Sequence, residues 1–345
     1  MQARHRFGLP LIFSGSLDDL PENIRQPYEE AMKEAARETG SLFLADGDIL
    51  RAWPYFRAIG DPGPVVAAIE KIDSHDQVDG IIELAFGQGV HPLKGFELLL
   101  KKHGICRAIT FFEQYPDPRS RNQGALLLLK ALYDELVENL RHAISRTEGR
   151  QPEGTSVAEL IRGRNWLFGD MDSYVDAAHL TSIIPLALDF SDPETLRLAI
   201  ELCEYGAHLS PNFHYRTDPP FDDFYNDHAI FLKALAGRDI DVAVAHFRKK
   251  AALPSSDIDA TGPAQVLVLL LTRLKRYREA LEVSLEYLGD HQNQVGCPSI
   301  PQLCQLAGDN DSLREVARRR GDMLNFTAAA IGKVQAALDK ERASL

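Results

Sequence analysis

The sequence predicts an all-α protein, and three observations carry this prediction. Apolar residues recur at spacings of three and four, as at Leu196, Ala199, Ile200 and Cys203, which is the period of a helix with one buried face. No run of alternating β-branched residues is bounded by a two-residue glycine turn, so the minimal signature of a β-hairpin is missing. Helix starts are marked locally by capping residues and prolines. We therefore expect helices and no sheet.

Boundary signals place several helices along the chain. Ser156 and Glu159 have the spacing of a capping box, in which each side chain binds a backbone amide of the other residue. Asp192 supplies a cap, and Pro193 after it suits the first turn of a helix. The other predicted stretches are, in chain order, one long helix over 120–146, two helices over 155–189, a hairpin over 267–288 that turns at 273–276, and a C-terminal helix over 324–341.

Composition and charge limit the classes of partner. The chain has 345 residues, 45% hydrophobic and 26% charged, which is typical of a globular protein. Its 50 acidic and 38 basic residues give a net charge of −12, which disfavours nucleic-acid phosphates and anionic lipid surfaces. The longest apolar runs, 125–129 and 266–271, fall far short of the ~20 residues that cross a bilayer. We expect no nucleic-acid or membrane partner, and the acidity favours a protein partner that carries Lys or Arg.

The cysteines and the N-terminal residues bear on location. The four cysteines are scattered, with no C-x-x-C pair, which favours reduced thiols in the cytoplasm. Residues 7–13 form an apolar run like that of a secretion signal, but Pro10 interrupts it and no small-x-small cleavage site follows. The sequence therefore predicts a cytoplasmic protein.

One stretch of the chain carries the spacings of a known helical repeat. These spacings are met by Gly40, Phe43, Gly47, Ala52, Phe56 and Pro64. Residues 33–66 therefore resemble one tetratricopeptide repeat. In that family two antiparallel helices form a hairpin, and small residues let them approach closely. The resemblance implies that Gly40 and Ala52 do so here, that Phe56 belongs to the repeat core, and that Pro64 ends the second helix.

The same unit returns imperfectly along the chain. An alanine followed four residues later by a second core residue recurs as Ala108 with Phe112, Ala243 with Phe247, Ala199 with Cys203 and Ala280 with Ser284. The alanines are 56, 91, 44 and 37 residues apart, so the middle of the chain departs from the 34-residue period of the family. The resemblance implies a right-handed α-α superhelix, a solenoid of irregular tetratricopeptide-like hairpins. The alternative is a compact helical bundle, in which such pairs arise by chance.

The predicted organisation is an extended N-terminal segment over 1–20 and one helical-repeat domain over 21–345. Within that domain we expect N-terminal hairpins over 21–116, atypical central helices with a long aromatic loop over 117–227, and C-terminal hairpins with a capping helix over 228–345. Such arrays bury a continuous core by stacking neighbouring units.

Known catalytic fingerprints are missing from the sequence. It holds no glycine-rich phosphate loop, H-E-x-x-H, paired C-x-x-C or G-x-S-x-G motif. Asp309, Asn310 and Asp311 begin like a calcium loop, but Arg314 and Arg320 stand where that loop needs glycine and glutamate. We interpret these residues as a helix-capping turn, and we expect no catalytic residue and no cofactor.

Acidic residues and histidines are concentrated in the centre of the chain. Asp176 and His179 are three residues apart on a predicted helix and so share a face. Stacked hairpins would bring such side chains into one groove, where oxygen and imidazole ligands suit zinc, manganese or iron. The proposed ligands are Asp176, His179, His208, Asp227 and His228, from a wider group that includes Asp170, Asp172, His214, Asp222 and Asp223. The competing interpretation is that the acids cap helices and the histidines pack singly.

Residues 209–226, which we call the aromatic segment, are long for a connection between packed helices, usually about 2–8 residues. Its rings offer a large contact area with little loss of rotamer freedom, which suits gripping a partner. Alternatively, they cover an exposed edge of the helices. The candidate partner-binding residues are Phe213, His214, Tyr215, Arg216, Phe224 and Tyr225, and Phe221 lies among them.

A thiol near two imidazoles is a third candidate, since such a thiol can be an activated nucleophile. His91 and His103 flank Cys106 in the sequence, but Gly104 interrupts the helix between His103 and Cys106. We therefore favour a buried structural role for Cys106.

The predicted function follows from the repeat resemblance, because that family binds peptides or proteins in its concave groove. We expect a non-catalytic scaffold for a protein or peptide partner. The alternatives are a metal-dependent helical enzyme that uses the central histidines and acids, and a carrier of a lipid or small molecule.

Overall fold

The computed structural model describes residues 2–10, 16–73, 78–253, 261–289 and 296–343. In these residues there are 17 α-helices and no strand, which confirms the all-α class. None of the helices in the described ranges has the length and apolar character needed to cross a membrane. The chain forms two compact units, Met1–Leu128 and Leu129–Leu345.

The helices of the first unit are α1 (Gln2–Arg6), α2 (Glu22–Ala45), α3 (Ile49–Ala58), α4 (Gly63–Glu70), α5 (Val78–Ile82), α6 (Pro92–Phe112) and the beginning of α7 (Arg121–Glu148). The second unit contains the rest of α7, then α8 (Val157–Ile161), α9 (Ala177–Ile183), α10 (Pro193–His208), α11 (Phe224–Leu235), α12 (Ile240–Ala251), α13 (Gly262–Arg273), α14 (Tyr277–Val283), α15 (Ile300–Ala307), α16 (Asn310–Arg320) and α17 (Met323–Ala343). Short 3-10 turns occupy Leu17–Asp19, Asn165–Leu167, Ile184–Asp189 and Pro211–Phe213, and π-helical turns follow α5 at Glu83–Gly87 and α14 at Ser284–Leu288.

The hairpin of α2 and α3 contains the close approach that the repeat resemblance implies. A Cβ atom on Gly40 would lie 2.7 Å from the Phe56 ring, so a side chain there would overlap the ring. Ala52 and Phe56 are fully buried. Glycine at position 40 therefore lets the two helices pack with the Phe56 ring between them.

The role implied for Pro64 is wrong. Helix α3 already ends at Ala58, where the Asp61 amide donates to the Phe56 carbonyl and Gly60 adopts a φ of 68°. Pro64 lies in the first turn of α4, where its fixed φ suits a helix start and its missing N–H leaves no bond unmade.

The boundary signals in the second half of the chain are confirmed. Ser156 and Glu159 form the capping box of α8, and the Asp192 carboxylate accepts from the Thr195 amide at the start of α10. Asp309 caps α16 by accepting from the Ser312 amide, as the capping-turn interpretation requires. The predicted hairpin turn at 273–276 separates α13 from α14, and the long helices over 120–146 and 324–341 correspond to α7 and α17.

A buried polar network ties α8 to α7 and α10. The Glu201 carboxylate accepts from the Tyr133 hydroxyl at 2.7 Å and from the Arg197 guanidinium at 2.5 Å. The same carboxylate accepts from the Ala158 amide at 3.2 Å, while the Val157 amide donates to the Tyr133 hydroxyl at 3.1 Å. These bonds satisfy the first amides of a five-residue helix that is too short to be stable alone.

From α10 to α17, each helix packs against the next one in the chain. Phe231, Phe247, Leu267 and Leu271 are fully buried in the core that these helices share. The recurring pairs Ala243 with Phe247 and Ala280 with Ser284 are buried, as the repeat interpretation expects. The arrangement of these hairpins as a solenoid stays a prediction.

The predicted burial of Cys106 is wrong, because its side chain is exposed. Gly104 interrupts α6 with a φ of 77°, as predicted, and the helix resumes after it in a new phase. Ile105, Ala108 and Phe112 then form the buried face, which turns Cys106 outward.

The division of the chain into two compact units does not test the predicted domain boundaries. The single repeat domain over 21–345 therefore stays a prediction. Within the segment predicted to be extended, residues Gln2–Arg6 form the short helix α1. Residues 1 and 11–15 lie outside the described residues, as therefore does part of the apolar run over 7–13.

Candidate functional site

The aromatic segment joins α10 to α11 and is held at both of its ends. At its beginning Leu209 and Ser210 are buried, and a 3-10 turn follows over Pro211–Phe213. At its end Phe224 and Tyr225 are buried in the first turn of α11. Two of the six predicted partner-binding residues are therefore part of the helical packing.

Tyr225 seats the end of the segment against α10. Its ring passes so close to Gly206 that a Cβ atom there would lie 2.2 Å from the Tyr225 ring. Burial raises the pKa of the Tyr225 phenol, and its hydroxyl has no hydrogen-bond partner in the part of the chain that the structure describes. The His214 ring meets the Tyr225 ring edge-on, with centroids 5.3 Å apart. The absence of a side chain at position 206 thus fixes how closely α11 can approach α10.

Phe221 is the second anchor of the segment. Its ring stacks on the His228 imidazole with centroids 4.1 Å apart and an interplanar angle of 23°. It also packs against Phe231 and Phe247, at centroid distances of 6.2 Å and 5.8 Å. Phe221 therefore inserts the segment into the core formed by α11 and α12.

Charged side chains form a third anchor, which we call the Lys250 cluster: Asp222, Asp227, His246 and Lys250. Lys250 Nζ donates to Asp227 Oδ2 at 2.6 Å, to Asp222 Oδ1 at 2.7 Å and to the carbonyl oxygen of Pro220 at 2.7 Å. All three ammonium hydrogens therefore have an acceptor. Two of those acceptors belong to the aromatic segment, so Lys250 binds the segment to α12.

Asp227 is the buried centre of this cluster, with 1% of its surface exposed. Asp227 Oδ1 accepts from His246 Nε2 at 2.7 Å. Asp227 Oδ2, which binds Lys250, also accepts from the Asp223 amide at 2.9 Å. Burial alone would lower the pKa of Lys250, but the hydrogen bonds to Asp222 and Asp227 outweigh it and raise that pKa. The hydrogen bond from Lys250 lowers the pKa of Asp222. The ion pairs therefore keep Lys250 protonated and Asp222 ionised.

Between these anchors the tip of the segment faces solvent. His214, Tyr215 and Arg216 are exposed, Tyr215 by 49%, and Phe213 is half-buried. The tip offers a phenol ring, an imidazole and a guanidinium on a backbone fixed at both ends. Both interpretations of the segment thus apply to different residues, since its end covers the helices and its tip is available for contact.

The predicted metal ligands on α9 have local roles in the structure. Asp176 caps α9 by accepting from the Ala178 amide at 2.8 Å. His179 is half-buried on the same helix, and its Nδ1 has no hydrogen-bond partner among the described residues. The cap formed by Asp176 fits the capping interpretation.

The other predicted metal ligands each bind a different neighbouring group. His208 Nδ1 donates to the Glu204 carbonyl, and its ring lies 5.1 Å from that of Phe168. His228 Nδ1 donates to the Phe224 carbonyl. Asp227 is engaged by His246 and Lys250. Over the described ranges, no three His, Cys, Asp or Glu side chains come close enough to hold a metal ion.

Sequence reasoning missed His246 and Lys250, which lie four residues apart on α12 and so share a face. That spacing is a local signal, but it is common on solvent-exposed helices. The partner, Asp227, lies 19 residues before His246, and only the packing of α12 on α11 brings them together.

The stability of the protein is expected to fall on acidification because of His228. Burial lowers the pKa of this imidazole from 6.5 to about 4. The folded state therefore opposes protonation of His228. The contribution of the neutral imidazole to stability is complete above pH 6.5, its pKa in the unfolded chain, and is lost as the pH falls from there towards 4. The free energy of unfolding should decrease by up to about 1.4 kcal/mol per pH unit in that window.

Urea unfolding at a series of pH values measures this slope. His228→Gln should flatten it between pH 6.5 and 4, whereas His208→Gln, at an exposed position, should leave it unchanged. An unaltered slope in the His228 variant would show that this imidazole is not the titrating group.

No protein-family model, curated protein or solved structure matches this chain. Its function is therefore argued from the chemistry of its own residues.

Proposed function

We propose that this protein is a non-catalytic scaffold that binds a protein or peptide partner through the tip of the aromatic segment. In this proposal the helical hairpins form a right-handed tetratricopeptide-like solenoid, and the tip contributes to the partner surface beside its concave groove. The observation that carries the proposal is an exposed aromatic tip held between buried anchors.

Anchoring favours binding for a physical reason. A loop that is already ordered loses less conformational entropy when a partner arrives than a flexible loop would lose. Phe221 and the Lys250 cluster hold one end of the segment, and buried Leu209 holds the other. The rings of His214 and Tyr215 then add contact area with few rotatable bonds to restrict.

The charge of the chain supports a basic partner. The net charge is −12, and the segment itself contributes exposed acidic side chains at Asp218, Asp222 and Asp223. A partner with Lys or Arg gains from this field and can place a cation over the Tyr215 ring. Arg216 can bind a backbone carbonyl or the carboxylate of the same partner. The proposed ligand is therefore an extended segment rich in Lys or Arg.

Fluorescence anisotropy with labelled peptides of equal length tests this proposal. A Lys/Arg-rich peptide should bind more tightly than neutral or Asp/Glu-rich peptides, and its affinity should fall with added salt. Tyr215→Ala should weaken that binding by about tenfold, equivalent to roughly 1.4 kcal/mol, because the ring contributes contact area and a cation site.

Trp166→Ala is the matched control, because Trp166 is a 42% exposed aromatic residue in the same unit but outside the segment. It should leave the affinity unchanged. Equal losses in both variants, or no preference among the peptides, would reject the proposed surface.

A further inference from the structure

Helix α17 is apolar on two opposite faces. One face lies against α16, where Ala329 is fully buried and a Cβ atom on Gly332 would lie 2.5 Å from Asn310 Oδ1. The other face is exposed, and its four large residues are exposed by 61–80%. We call this exposed face the α17 stripe; it consists of Met323, Leu324, Thr327, Ala330, Ile331 and Val334.

A helix that packs on one side only is expected to be polar on the other. The α17 stripe departs from this rule, since it is mostly apolar over three turns, with successive members one or three residues apart. The pattern is typical of a helix packed between two layers. Because α16 supplies one layer, the stripe requires a second one.

We infer that the second layer is α17 of another copy of this chain, so that the protein forms a symmetric dimer. Leu324 and Ile331 are seven residues apart, and so are Thr327 and Val334. Seven-residue spacing is the repeat of helices that pack along each other, and a second α17 carries the same repeat. Two-fold symmetry joins identical surfaces, so the stripe is complementary to itself without further residues.

The stripe is a surface on which two copies can meet without like-charge repulsion. A net charge of −12 makes two copies repel each other over most of their surfaces. Lys333 is the only charged residue from 323 to 334, and it pairs with Asp311 of α16. Identical neutral stripes therefore meet without like-charge repulsion, whereas a different partner would gain no charge complementarity here.

The size of the contact sets the expected affinity. The stripe spans residues 323–334, which corresponds to about 18 Å of helix. Two such stripes bury less than the ~1,200–2,000 Å² of stable interfaces and so fall among weak, transient ones. We therefore expect a reversible dimer with a dissociation constant in the micromolar range.

Sedimentation equilibrium of the full chain, from about 1 µM to about 200 µM, tests the dimer. The mass should rise with concentration from 38.4 kDa towards twice that value. Ile331→Glu should weaken the association at least ~100-fold, because it places a charge opposite its own equivalent in the stripe. The matched control is Val242→Glu, since Val242 and Ile331 are both β-branched helical residues exposed by 65%. The control should dimerise like the unaltered chain.

Mixing two variants with opposite charges at the same position tests whether identical stripes meet. In a parallel pair the two-fold axis runs between the helices and sets Ile331 beside its own equivalent, so Ile331→Glu and Ile331→Lys should each be monomeric while their equal mixture dimerises. Unchanged circular dichroism and melting temperatures would establish that both variants are folded. A chain that stays at 38.4 kDa throughout, a dimer indifferent to Ile331→Glu, or a mixture that remains monomeric would overturn the inference.

Discussion

Replacing Lys250 with methionine should lower the free energy of unfolding by about 3 kcal/mol. The change removes the ammonium group that neutralises Asp227, whose carboxylate is 1% exposed and would lose its closest cation. Methionine keeps the length and most of the apolar stem of lysine, so the loss reports the charge and its hydrogen bonds. Urea unfolding followed by far-UV circular dichroism measures the difference.

Lys233→Met provides the control for this prediction. Lys233 Nζ lies 2.9 Å from Glu204 Oε1, but both side chains are about one-third exposed. The loss of such a surface pair should change stability by no more than ~1 kcal/mol. Similar losses in the two variants would contradict the view that Lys250 neutralises a buried charge. Faster proteolytic cleavage within the aromatic segment of the Lys250 variant would report release of its Pro220 anchor.

Phe56→Ala should destabilise the first unit by about 3–5 kcal/mol. The Phe56 ring is fully buried between α2 and α3, so its removal leaves a cavity as well as lost apolar contacts. Leu42→Ala on α2 is the control, because Leu42 is 63% exposed and its truncation should change stability by less than ~0.5 kcal/mol. A small effect at Phe56 would show that the hairpin core lies elsewhere.

A substitution at Gly40 tests the same contact between α2 and α3 from the other helix. Gly40→Ala alone should destabilise by about 1–3 kcal/mol, because the new methyl group overlaps the Phe56 ring at 2.7 Å. In the Phe56→Ala background that methyl group instead enters the cavity. The double variant should therefore lose less stability than the two single variants together, and strict additivity would show that the residues do not share a site.

The parts of the fold that could be predicted from sequence are those set by neighbouring residues. Asp192 with Pro193 and Ser156 with Glu159 specify helix starts through their own backbone amides, and the structure contains both caps. Gly104 similarly interrupts α6 by its own conformation. Such signals act over three or four residues and do not depend on tertiary packing.

What could not be predicted depends on how helices meet. The exposure of Cys106 follows from the phase in which α6 resumes, which the sequence around Gly104 does not specify. The Lys250 cluster joins side chains on α11, α12 and the aromatic segment, and Lys250 lies 23 residues from Asp227. The sequence indicates an aromatic segment that either binds a partner or covers an edge, but its division into buried anchors and an exposed tip depends on the packed structure.

The anchors of the aromatic segment are the basis of its proposed role. Phe221 and Lys250 hold it on α11 and α12 by independent means, one apolar and one ionic. A segment whose only purpose was to cover an edge would have no need to direct Tyr215 and Arg216 into solvent. The exposed tip is the part of this arrangement that packing leaves unexplained, and the proposed partner binding would account for it.

Hydrogen–deuterium exchange of the full chain, with and without a saturating Lys/Arg-rich peptide, locates the partner surface directly. We expect slower exchange of the backbone amides over residues 212–216 when the peptide is bound, because the bound peptide shields the tip from water. The amides of α2 and α3 should exchange at the same rate in both samples. Bound peptide with unchanged exchange over 212–216 would contradict the claim that the aromatic segment is the binding site.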